Sequence, residues 1–170
     1  MKKLGIFLVI ALVLSLGGYY FFDKMGGNTP IELEMVDQTP PTLSGKIFVG
    51  IPREESLGKT FQEIESLQSL HPGSKIHTIY YREPAGKLDT LEVFVGLDLP
   101  FAPEGLESKS FEEGRFILAK VKGNPWVMPG PEKVKAEIAA FAAQNQTTLT
   151  GIFIDKIVSE SEVHVLAPVR

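Results

Sequence analysis

Two periods of hydrophobic and polar positions alternate along this chain, and the switches between them mark out its elements. Leu91 to Leu97 runs Leu-Glu-Val-Phe-Val-Gly-Leu, and Glu162 to Leu166 runs Glu-Val-His-Val-Leu. Both have a period of two, so each predicts a strand with an aliphatic face and an opposite face carrying Glu92 and Phe94, or Glu162 and His164. Ile31 to Val36, Lys46 to Ile51, Lys75 to Tyr81, Leu106 to Phe111, Phe116 to Val121 and Gly151 to Val158 also read as strands. Between them the period lengthens. Leu57, Phe61, Ile64, Leu67 and Leu70 fall at spacings of three and four, which predicts a helix opening near Pro52 and stopping at His71-Pro72-Gly73. Val134, Ile138 and Phe141 do the same for a helix from about Pro131 to Gln144, with proline near its first turn.

The order strand–strand–helix–strand–strand then occurs twice. Ser44-Gly45-Lys46 aligns with Glu113-Gly114-Arg115, Ile79-Tyr80-Tyr81 with Ile152-Phe153-Ile154, and Glu92 with Glu162, at offsets of 69, 73 and 70 residues. The expected fold is α+β: two tandem repeats, 31–100 and 104–170, forming a curved antiparallel sheet with two helices on one side. Glu92 and Glu162 would then be matching carboxylates of two half-sites that face a shared ligand.

One stretch obeys neither period. Leu4 to Phe22 is apolar apart from Ser15, follows Lys2 and Lys3, and ends at Asp23 and Lys24. At about 1.5 Å per residue it reaches across a hydrocarbon layer of about 30 Å. Tyr19 to Phe22 sit where an interfacial aromatic belt belongs. Residues 1–24 are therefore read as an uncleaved single-pass transmembrane helix. A cleaved signal peptide is the alternative, which the length of the apolar run and the lack of a clean small-x-small site disfavour. The paired lysines place the N-terminus in the cytoplasm and the domain on the opposite side. Residues 25–30 read as a linker, leaving 31–170 as one domain of the 170-residue chain.

Composition narrows the chemistry. A net charge of −4 gives no general attraction to nucleic acid. The absence of cysteine removes thiol catalysis and thiolate metal sites, and the three histidines show no metal-ligand spacing. No metal and no cofactor are expected. No nucleophile elbow or phosphate loop appears.

Three short segments carry a resemblance. Ile79-Tyr80-Tyr81-Arg82-Glu83-Pro84, Gly114-Arg115-Phe116 with Gly123 beyond it, and Val165-Leu166-Ala167-Pro168-Val169 resemble, in that order, motifs of the GyrI-like small-molecule (effector) binding domain family. The apolar N-terminal stretch resembles the membrane-anchored branch of that family. The resemblance spans about 31–170. Arg82 departs from it, standing where the family often has an acid. What the resemblance implies is a cleft between the halves, walled by aromatics and holding an acid that attracts cationic molecules. Glu162 best matches that acid, with Glu92 as its echo. His164, Phe94, Tyr80, Phe116 and Trp126, the only tryptophan, are the other expected ligand contacts. Tyr80 and Tyr81 point to opposite faces, so at most one lines the site. The expected function is a membrane-anchored protein that binds an amphipathic small organic molecule, cationic forms included. Two alternatives stay open: a hydrolase of small reactive molecules using Trp126, Glu162 and Tyr80, and a tethered scaffold for a protein partner.

Overall fold

A computed structural model describes every residue except Met1 and Lys87, and the side chains of all but these two and residues 2–10. In chain order the elements are α1 (Lys2–Lys24), β1 (Glu32–Val36), β2 (Leu43–Gly50), α2 (Glu55–Leu70), β3 (Ile76–Arg82) and β4 (Leu91–Leu97). They continue with β5 (Glu107–Lys109), β6 (Phe116–Lys122), α3 (Pro131–Gln144), β7 (Ile154–Ser159) and β8 (Glu162–Pro168). The eight strands form one antiparallel sheet in the order β1-β6-β8-β7-β3-β4-β2-β5.

That order is two-fold symmetric about the β7–β3 pair, with the first strand of each repeat exchanged. β1 pairs with β6 of the second repeat, and β5 pairs with β2 of the first. Matching β-bulges fix the equivalence of the halves. The β3–β4 ladder slips between Tyr80 and Arg82, so that Arg82 faces Glu92, and the β7–β8 ladder slips between Ile157 and Ser159, so that Ser159 faces Glu162. Glu92 and Glu162 are thus true counterparts. The other two expected alignments shift. Register makes Gly45 equivalent to Leu118 and Ile79 to Lys156, because each opposes the same position of its repeat's last strand. Loops of unequal length between the elements account for the changed offsets.

Both helices lie on one face of the sheet. Ile64 of α2, with Leu57, Phe61 and Leu67, packs on Phe48, Val93, Val95 and Leu97. Val134, Ile138 and Ala142 of α3 pack on Ile117, Ala119, Val121, Val165 and Ala167, with Leu33 and Met35 of the exchanged β1 alongside. Leu70, expected on the buried face of α2, is instead exposed in its last turn. The opposite face of the sheet is partly covered too. Phe111, in the segment between β5 and β6, closes over Leu43, Ile79, Phe94, Phe116, Ile154 and Leu166.

Helix α1 is 23 residues long, and from Leu12 to Phe22 its large apolar side chains are exposed. The expected span of 4–22 lies partly outside the residues with described side chains. Among the described residues, no helix is long and apolar enough to cross a membrane. The base of α1 is tied to the domain, since the Asn124 amide donates to the Met25 carbonyl at 2.9 Å.

Candidate functional site

On the helix side the sheet's central strands carry Ile76, Thr78 and Tyr80 in β3 and Asp155 and Ile157 in β7, with Asp155 directly across from Thr78. Where α3 leans over β6 and β8, a cavity of about 430 Å³ remains, within the usual size range of small-molecule sites. Its floor is Tyr80, Val121, Asp155, Val163 and Val165, with Phe153 just before β7. Its wall is Pro131, Val134 and Lys135 of α3 together with Met128 and Pro129, and Glu83 and Pro84 close the side at the end of β3.

The lining is mostly apolar, with three charged groups at one side. Asp155 is half-buried, and among the described residues no side chain donates a hydrogen bond to its carboxylate. Burial, opposed by the nearby Lys135 ammonium and reinforced by the Glu83 charge, pushes this carboxyl up to about 6. The Lys135 ammonium pairs with Glu83 and lies 5.6 Å from the centre of the Phe153 ring. Tyr80 is 44% exposed at the mouth. Its hydroxyl is held above the usual tyrosine range by burial and then by the Asp155 charge. An acid short of donors beside apolar and aromatic surface can take up a cation or a hydrogen-bond donor attached to an apolar body.

Of the residues picked from the sequence, Tyr80 alone lines this cavity. Tyr81 points to the other face, where Lys109 lies 5.4 Å from its ring centre, as strand alternation requires. Glu162 and His164 are on the sheet face away from the helices. There the Glu162 carboxylate meets the His164 ring at 2.7 Å, and this bond holds it below the usual carboxylate range. They belong to a strip of cross-strand pairs that includes Lys120–Glu34 at 2.9 Å. Glu92 is on that face as well, but the two acids do not converge. Their rows are six apart, about 20 Å at about 3.3 Å per residue, and their strands three apart, about 14 Å at about 4.8 Å per strand.

Phe94 and Phe116 are core rather than cavity wall, 1% and 7% exposed beneath Phe111. Trp126 is 89% exposed at the tip of the turn before α3; Met128 and Pro129 of the same loop reach the cavity instead. The shared half-site over the outer face is therefore replaced by one cavity under α3. Sequence reasoning missed Asp155, Glu83, Lys135 and Phe153. A signal did exist in Ile154-Asp155-Lys156-Ile157, where an acid interrupts a strand at a position that should face the helices.

No protein-family model matches the chain, and no curated protein matches it. Solved structures do. A hydrolase from Listeria innocua has a TM-score of 0.58 at 11% identity, covering 88% of this chain and 98% of its own. The EcmrR C-terminal domain has a TM-score of 0.51 at 14% identity, covering 83% and 97%. EcmrR in its DNA complex has a TM-score of 0.54 at 13% identity, covering 99% of this chain and 69% of its own. These neighbours share the fold of this chain over most of its length. At such identities the likeness shows the fold alone.

Proposed function

We propose that the domain binds an amphipathic small molecule in the cavity under α3, with the apolar body against Val121, Val163, Val165 and Phe153 and a cationic group at Asp155 and Glu83. The observation that carries this reading is the half-buried Asp155 carboxylate in a mostly apolar hollow. Two acids against one lysine leave this side of the cavity net negative once Asp155 ionises. A cation gains charge pairing there and ring contact with Phe153. Isothermal titration with triphenylmethylphosphonium at pH 7.5 tests it. Saturable binding should weaken about tenfold in Asp155→Asn, worth about 1.4 kcal/mol, and disappear in Val163→Trp, which fills the hollow. Undiminished affinity in both variants would remove the site from this cavity.

A second reading concerns α1. The exposed apolar side chains from Leu12 to Phe22, with rings at 19–22, support a membrane anchor, and Lys2 and Lys3 favour a cytoplasmic N-terminus with the domain opposite. Flotation with liposomes checks this: the full chain should rise with the vesicles and a chain lacking 2–22 should not. Equal behaviour of the two would refute anchoring through α1.

A further inference from the structure

We infer that Lys135 is the cavity's resident cation: its ammonium occupies the place between Glu83 and Phe153 that a guest's positive charge would take, so a cationic ligand binds only by displacing it. This rests on the proposed binding site and adds a residue that sets which guests the site prefers.

The geometry is that of a filled cation subsite. Lys135 pairs with Glu83, which comes from the end of β3, while its own backbone sits one turn into α3. The ammonium also lies 5.6 Å from the Phe153 ring centre. A carboxylate on one side and an aromatic face on another are what a lipophilic cation would seek in this cavity. The side chain is free to leave. It is 31% exposed at the rim, and Glu132, three residues earlier on the same helix, already stands 3.7 Å from the ammonium. Glu132 is outside the cavity lining and open to water, so an evicted lysine finds a partner in solvent without melting the helix.

Displacement has an asymmetric consequence. A cation entering the native cavity must break the Lys135–Glu83 pair before it gains Glu83 for itself. A neutral guest of the same shape occupies the apolar floor and leaves the pair intact. Removing the lysine charge while keeping its stem should therefore favour cations selectively.

The test compares triphenylmethylphosphonium with neutral triphenylphosphine oxide by isothermal titration on the full chain, using Lys135→Met, Lys135→Arg and Lys133→Met. Lys133 is exposed on the same helix and outside the cavity, so it controls for net charge. Lys135→Met should bind the phosphonium about tenfold more tightly and the oxide within twofold of the native chain. Lys135→Arg, which keeps a cation between Glu83 and Phe153, should bind the phosphonium no more tightly than the native chain, and Lys133→Met should leave the affinity within twofold. If the native chain binds the phosphonium and Lys135→Met binds it no better, or Lys133→Met gains as much, displacement is overturned while the cavity reading stands. If no variant binds either probe, the cavity reading fails and this inference falls with it.

Discussion

Asp155 is the residue on which both stability and binding should turn. Its carboxyl titrates at about 6 in the fold, against 3.8 for an unperturbed aspartate. A raised acid favours the state that holds the proton. The stability it contributes is complete below about pH 4 and is lost as the pH rises through 6. Urea unfolding at pH 4.5 and 7.5 should therefore show Asp155→Asn gaining about 1–2 kcal/mol on the native chain at the higher pH, the low end reflecting residual solvent access. Parallel behaviour of the two proteins across that range would contradict the assignment. Binding should move the other way. A cation prefers the ionised carboxylate, so affinity for triphenylmethylphosphonium should rise about tenfold from pH 5 to 7.5 in the native chain and stay flat in Asp155→Asn.

His77 sits at the same scale with a different physics. It is fully buried, its Nδ1 bonds the Lys75 carbonyl at 2.9 Å, and its Nε2 has no partner among the described residues. Burial holds it below the usual histidine range, with the Lys75 carbonyl and Asp98 opposing. Below pH 6.5 the unfolded chain takes up a proton that the folded chain resists, so this residue costs stability as the pH falls. Its slope is opposite to that of Asp155, which is why the paired comparison with Asp155→Asn is needed to isolate either.

Among the elements, β2 and β4 show how the two halves diverged within one register. Gly45 and Gly96 are directly opposed on the face away from the helices, where the second half places Leu118 and Leu166. The glycines leave room for the Phe94 ring, whose counterpart in the second half is the polar His164. A Cβ on Gly96 would lie 2.6 Å from the Ser44 carbonyl oxygen and 2.7 Å from the Phe94 ring. Gly96→Ala should accordingly lower stability by about 2 kcal/mol in urea unfolding, whereas Gly58→Ala in α2, with open space around it, should raise it by about 0.5–1 kcal/mol.

At this scale the sequence was most readable. Period-two runs gave all the longer strands and period-3.6 runs gave α2 and α3, because burial on one face writes itself into the residue order. Element ends were less so: α2 begins at Glu55 rather than beside Pro52, and β7 at Ile154 rather than Gly151. The choice of face was the deeper miss. Glu92 and Phe94, or Glu162 and His164, look like a site because they break a polar face, yet Phe111 arrives from a distant segment to bury Phe94. Lys120 and Lys122 arrive from β6 to solvate Glu162. Neither partner is visible in a local pattern.

For the whole molecule, symmetry and asymmetry divide the work. The exchange of β1 and β5 locks the two repeats into one sheet, since each half's outer edge is supplied by the other. Departure from symmetry then makes the cavity: the central β3–β7 pair puts Thr78 on one side of the axis and Asp155 on the other, and the hollow opens beside the second. The repeat was readable in the sequence, whereas the one-sided cavity depends on how α3 and the Met128–Pro131 loop stand off the sheet.

The most direct test is a map of amide and methyl chemical-shift changes on adding triphenylmethylphosphonium to isotope-labelled protein. The largest changes should fall on Tyr80, Val121, Val134, Phe153, Asp155 and Val163, on the helix side of the sheet. Changes centred on Glu92, or on Glu162 and His164, with those six unmoved, would contradict it.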